Sequence, residues 1–294
     1  MSRIIAVTGA TGFIGGMLVN QLTAAGWSVK ALARPASAHL LPKVPELEAV
    51  VGSLQDRESL ERLLQDACAV VHCAGAVRGA TAADFNAVNV EGVKQLVGAA
   101  LSLSTRPRFL SLSSLAARAP GLSHYASSKR QGEHALASMA DDMEWVALRP
   151  PAVYGPGDKE LLPLFQWMGR GIAPVLGEPG ARVSLLYVED LGAAVLGWLD
   201  AGKCPSGVYE LNDTQDAGYS WDEIIDRVST LRSRRIIRLG LPAPLLRSLA
   251  AVNVTAARLF GYAPMLSPGK VRELRHPDWV GDNTALTEAI GWEP

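Results

Sequence analysis

The stretch Ile4-Ile-Ala-Val-Thr-Gly9-Ala-Thr-Gly12-Phe-Ile-Gly15 joins an apolar, strand-like run to a helical one through a turn rich in glycine. Such a turn lets backbone N–H groups at a helix N-terminus come close to a pyrophosphate and carry its charge. A Cβ at Gly9 or Gly12 would obstruct that approach or the dihedrals of the turn. Glycine triplets often mark ordinary turns. This one lies between strand and helix near the N-terminus, and that context marks a dinucleotide phosphate loop.

The alternation continues downstream. Strand-like runs lie at Ser28–Ala33, Leu47–Val51, Ala69–His72, Arg108–Leu112 and Glu144–Leu148. Helical stretches lie at Gly12–Ala25, Asp56–Leu64, Ala82–Leu103 and Ser123–Met139. The runs are too apolar for half-exposed strands and suit a parallel sheet covered on both faces. The pattern predicts an α/β fold with a doubly wound parallel sheet of the Rossmann type.

After Pro150 the rhythm changes. Proline and glycine crowd Pro150–Gly157, Gly169–Gly180, Leu241–Pro244 and Pro264–Gly269, although Gly207–Leu211 reads as one more buried strand. The expected organisation is a dinucleotide-binding domain over residues 1–160 and about 184–212. A smaller, partly discontinuous C-terminal substrate lobe takes about 161–183 and 213–294. The basic run Arg232–Arg238 reads as a solvated face.

Of 294 residues, 48% are hydrophobic, enough for a sizeable core. Lys and Arg number 28 against 29 Asp and Glu, a net charge of -1 that speaks against a nucleic-acid or membrane-surface role. Cys68, Cys73 and Cys204 match no metal spacing, and so sparse a set suits a reducing, cytoplasmic setting. Met1-Ser-Arg followed by apolar residues imitates a secretion signal, but Gly9, Gly12, Gly15 and Gly16 interrupt the run. Leu191–Leu199 and Ser248–Ala257 fall short of the roughly 20 apolar residues of a membrane helix, so a soluble chain is expected.

The spacing Gly-x-x-Gly-x-x-Gly in Thr8-Gly-Ala-Thr-Gly-Phe-Ile-Gly15 resembles the short-chain dehydrogenase/reductase superfamily. It is most similar to the extended branch, the NAD-dependent epimerase/dehydratase family. Tyr125-Ala-Ser-Ser-Lys129 is similar to the family's Tyr-x-x-x-Lys pair, and on a helix that spacing sets both side chains on one face. The resemblance implies that Tyr125 donates or accepts a proton and that Lys129 assists it and holds the cofactor ribose. It implies that the Ser114 hydroxyl polarises the substrate oxygen, with Ser111 and Ser113 as competitors. A phenol ordinarily titrates near about 10, and a neighbouring ammonium and positive nicotinamide ring would lower that value.

The implied cofactor seat takes Gly9, Thr11, Gly12, Phe13, Ile14 and Gly15 from the loop. Arg34, Leu54, Cys73, Ala74 and Gly75 join from the strand ends, followed by Asn89, Tyr125, Lys129, Pro150 and Val153. Matching strings at His72–Gly75, Asn89–Gly92, Leu148–Gly155 and Tyr187–Asp190 carry the resemblance to about residue 212.

Three features depart from the family pattern. Ser114 and Tyr125 are joined by a short connection, which predicts a short, open pocket wall. Leu115 and Ala116 stand where dehydratases have two acidic residues. Ala152 stands where nucleotide-sugar enzymes commonly have an asparagine, although Arg247, Arg258 or Arg272 offer other donors.

The second strand ends Ala31-Leu-Ala-Arg34, with no carboxylate for a ribose 2′-hydroxyl and a guanidinium suited to a 2′-phosphate. NADP is therefore expected in preference to NAD. The expected activity moves a hydride between that cofactor and a carbonyl or hydroxyl of a small or apolar substrate, most simply a carbonyl reduction. An epimerase, which returns the hydride to its substrate, is the runner-up. A non-catalytic cofactor-binding regulator or assembly factor is a third reading, which the complete Ser114, Tyr125 and Lys129 set speaks against. The expected partner is a small molecule, with no nucleic acid and no membrane span, and a homodimer stays open.

Overall fold

Seven of the chain's strands pair side by side, all parallel, in a computed structural model that describes residues 3–140, 142–178 and 180–294. Met1, Ser2, Asp141 and Pro179 lie outside the described residues. In chain order the first half gives β1 (Ile4–Thr8), α1 (Phe13–Ala24), β2 (Ser28–Ala33), β3 (Leu47–Val51), α2 (Arg57–Leu64) and β4 (Ala69–His72). There follow α3 (Ala82–Asn89), α4 (Glu91–Leu101), β5 (Arg108–Leu112), α5 (His124–Met139) and β6 (Trp145–Arg149). The remainder gives β7 (Ala152–Tyr154), α6 (Leu162–Gly169), β8 (Ile172–Val175), β9 (Arg182–Val183), β10 (Leu185–Tyr187), α7 (Val188–Asp200) and β11 (Gly207–Glu210). The last elements are β12 (Tyr219–Ser220), α8 (Trp221–Leu231), β13 (Ile237–Gly240), α9 (Ala243–Phe260), α10 (Pro268–Leu274), β14 (Asp278–Trp279) and α11 (Thr284–Ile290).

The sheet runs β3-β2-β1-β4-β5-β6-β11. Its order reverses between β1 and β4, so the chain leaves these two strands in opposite directions and opens a crevice at their C-terminal ends. One core packs α1 and α7 on the sheet through Leu18, Leu22, Leu191 and Trp198. The other packs α2, α4 and α5 on the opposite face through Leu60, Leu96, Val97 and Leu136. Both faces being covered, β1 and β4–β6 are almost wholly buried.

Two details differ from the sequence reading. β3 is an edge strand with only Val50 buried and Val51 47% exposed, because among the described residues it pairs with β2 alone. The single helix expected over Ala82–Leu103 breaks at Val90 into α3 and α4. At the break Asn89 turns inward and bonds Ala76 and Ser128, which pulls α3 across α5.

Beyond β6 the small sheets are built from two distant parts of the chain. β8 pairs with β13, and β9 pairs with β12 and β14. Between those parts, α7 and β11 return to the main sheet. The basic run leads into β13, which is exposed along its length. No helix among the described residues is long and apolar enough to cross a membrane.

Candidate active site

The glycine loop sits at the end of β1, where the crevice opens. Gly9 has φ +75°, and a Cβ there would stand 2.6 Å from the Ala74 nitrogen. A Cβ on Gly15 would stand 2.2 Å from the Gly9 oxygen, so that glycine lets α1 close on the loop. Gly12 is exposed and extended, at φ -90° and ψ 175°, and begins α1 with no side chain capping the helix. The first-turn N–H groups are thus left for an anion, with the helix dipole behind them. Arg34 directly follows β2, next to β1 in the sheet, exposed and without an acidic partner among the described residues. The glycine loop fits the pyrophosphate of a dinucleotide.

Other residues of the implied seat have structural work. Asn89 accepts from the Ala76 nitrogen at 2.8 Å and donates to the Ala76 oxygen and Ser128 Oγ, so its amide holds the chain after β4. Leu54 lies against Gly92. Pro150 accepts from the Leu115 nitrogen, and Val153 is half-buried in β7. Burial pushes the Cys73 thiol up to about 12, which keeps it protonated and inert. Thr11, Phe13 and Ile14 are half-buried in the loop and first turn, and Ala74 and Gly75 follow β4.

His72, at the end of β4, is fully buried with Nδ1 2.7 Å from Thr8 Oγ1. Burial, helped by the Lys129 charge, pushes its pKa down from 6.5 to about 3. The folded chain therefore refuses a proton that the unfolded chain accepts below pH 6.5. Stability from this group is full above that pH and falls as pH drops towards 3. His72→Gln is expected to flatten the fall of unfolding free energy between those limits by up to one proton per molecule. Urea titrations across the range read that slope.

The chemistry-bearing residues converge from β5 and α5. Ser123 caps α5 through the Ala126 nitrogen, and the following turn presents Tyr125 to a cleft of about 220 Å³. Burial pushes the Tyr125 phenol up to about 12; hydrogen bonding with Ser114 opposes this and the Glu273 charge adds to it. The sequence expectation of a lowered value is thus reversed in the chain itself, because desolvation of a phenolate outweighs the Ser114 hydrogen bond. Lys129, one turn on, is pushed by burial down to about 8, and donates to the Leu112 oxygen at 2.9 Å.

Ser114 begins a short 3-10 helix over Leu115–Arg118 and accepts from the Ala116 nitrogen. Of its competitors, Ser113 donates to Glu133 inside the protein, and Ser111 sits within the sheet beside His72. The short connection does not leave the cleft without a wall. Val254 and Arg258 of α9, Met265, and Lys270, Arg272 and Glu273 of α10 close it instead. Glu273 bonds Ser123 and pairs with Lys270, whose Nζ lies 5.9 Å from the Tyr125 ring centre. Phe85 packs edge-on against Tyr125. Sequence reasoning missed Lys270, Glu273 and Phe85, and no motif or spacing marks them. Of the three arginines offered as substitutes for an amide at Ala152, Arg258 and Arg272 reach the cleft.

Known proteins resemble this chain. The sequence pattern of the NAD-dependent epimerase/dehydratase family matches residues 5–211. A ceramide reductase of Caulobacter vibrioides is 36% identical over 288 residues, covering 98% of this chain and 89% of that protein. A UDP-glucose 4-epimerase of Vibrio cholerae is 26% identical, over 100% of this chain and 92% of that one. Among solved structures, the UDP-glucose 4-epimerase of Thermotoga maritima with UDP-glucose superposes with a TM-score of 0.76 at 20% identity, covering 99% and 93% of the two chains, a likeness of fold.

Proposed function

The chain belongs to the NAD-dependent epimerase/dehydratase family, and from that premise we propose that it is an NADP-linked reductase of a ketone on a long-chain, amphiphilic substrate. It is an enzyme of the extended short-chain type. The observation that carries the finer reading is the cleft, where a protonated Tyr125 faces walls that include Val77, Phe85, Val254 and Met265. Likeness to a ceramide reductase along almost the whole chain supports an amphiphilic lipid class. So does the absence of a side-chain amide at Ala152. Arg258 and Arg272 give the cleft cations for a polar head.

The glycine loop Gly9–Gly15 would hold a nicotinamide cofactor, which when bound would supply the hydride. Ser114 holds the substrate oxygen, and Tyr125 hands that oxygen its phenolic proton as the carbon is reduced, so ketone becomes alcohol. Lys129 stabilises the tyrosinate left behind, and a pKa near about 8 lets it pass on a replacement proton at neutral pH. Glu133 holds α5, and with it both groups, against β6.

Mixing the enzyme and NADPH with a long-chain ketone, a short-chain ketone and UDP-glucose tests this reading. Loss of NADPH absorbance with the long-chain ketone and none with UDP-glucose is the expected result. Conversion of UDP-glucose to its epimer would overturn it. A charge-assisted contact contributes about 1.5–3 kcal/mol. Arg34→Ala is accordingly expected to weaken NADP binding by about 10- to 100-fold and to leave NAD binding unchanged. Calorimetric titration with both cofactors measures this, and equal NADP affinity in the variant would remove Arg34 from the site.

A further inference from the structure

The near balance of charge over the whole chain conceals a one-sided segment. From Arg227 to Arg272 there is no aspartate or glutamate, while arginines recur throughout. Arg238 pairs with Asp222 from outside the segment, but Arg232, Arg235, Arg247 and Arg258 have no acidic partner among the described residues. Among the described residues, the same segment carries the most exposed of the large apolar side chains. On α9, Leu246, Ala250 and Ala257 face the core, while Leu249, Val252, Leu259 and Phe260 are 49%, 68%, 77% and 80% exposed. Ile237 and Leu239 of β13, just before the helix, are 67% and 51% exposed.

A surface helix ordinarily carries one apolar stripe, and α9 carries two. The second is left exposed among the described residues. A cationic segment with an exposed apolar helix face fits the boundary of an anionic bilayer, where apolar side chains enter the acyl region and arginines meet headgroup phosphates. We propose that the β13–α9 face docks on a membrane surface containing anionic lipids. A second copy of this chain fits worse, because the same face would bring like charges together. Val254 and Arg258 line the cleft from the other side of α9, so docking would hold the cleft one helix away from the bilayer. Delivery of a lipid ketone from the bilayer rests on the reductase reading. The docking itself does not.

Sedimentation of the full chain with vesicles tests it, comparing phosphatidylcholine alone with phosphatidylcholine plus phosphatidylglycerol, at low and high salt. Binding to the anionic vesicles is expected, with at least about tenfold weaker binding to neutral ones and loss at high salt. Leu259→Asp with Phe260→Asp, and separately Arg232→Ser with Arg235→Ser, should each weaken binding by about tenfold or more. Both double variants should keep the parent's thermal shift with NADP, which shows that they fold. Absence of binding to anionic vesicles, or variants that bind like the parent, would overturn the proposal. So would a dimer in sedimentation equilibrium that Leu259→Asp dissociates, since the face then belongs to a second copy. Turnover of a water-soluble ketone, measured without vesicles, reports on the reductase reading alone.

Discussion

Tyr125→Phe is expected to lower kcat for ketone reduction by about 10²–10⁴-fold, the usual loss when a positioned general acid is removed. The substitution deletes one oxygen and keeps the ring that packs edge-on against Phe85. Fold and cofactor affinity should therefore survive, and KM should move far less than kcat. The phenol is held up near about 12, so the parent keeps its proton across the neutral range. Its reductive rate should accordingly show no loss of acid from Tyr125 between pH 6 and 9, an interval well below about 12. Steady-state kinetics with a saturating cofactor measure both quantities. Turnover by the Tyr125→Phe variant at the parent's rate would remove Tyr125 from the mechanism.

Glu133→Ala should cost about 3–5 kcal/mol of stability, the range found when one partner of a buried ion pair is removed. Glu133 is 4% exposed and accepts from Arg149 Nε at 2.7 Å and Arg149 Nη2 at 2.6 Å, with Ser113 as a third donor. Alanine would leave the 7% exposed Arg149 charge with only the longer 3.5 Å contact to Glu210. The pair ties α5 to the end of β6, and Glu133 lies one turn beyond Lys129. Its charge also pushes the Lys129 pKa up, so the variant should hold Lys129 neutral at lower pH. Urea unfolding at neutral pH measures the loss. Replacing both partners, as Glu133→Met with Arg149→Met, should recover most of it, because neither charge is then buried alone.

The main sheet was legible because its strands are buried on both faces. That burial writes uninterrupted apolar runs into the sequence, and β1, β2, β4 and β5 have the bounds those runs predict. β3 reads the same way yet lies exposed, since a run of apolar residues does not say whether a neighbour covers it. The break at Val90 was hidden as well. It follows from Asn89 reaching Ala76 and Ser128, partners on other elements.

Local chemistry, then, was determined by the sequence. A glycine turn needs backbone freedom at fixed spacing, and two side chains share a helix face through a fixed rotation per residue, so the loop at Gly9–Gly15 and the Tyr125–Lys129 pair announce themselves. Contacts made across the fold were decided by the tertiary structure alone. Lys270 and Glu273 reach Tyr125 and Ser123 because α10 folds back over α5, and the partner Glu273 finds is 150 positions away. The same distance hides the direction of the Tyr125 shift, since desolvation comes from walls that distant segments supply. It also hides the second apolar stripe of α9, whose meaning depends on which of its two faces the rest of the chain covers.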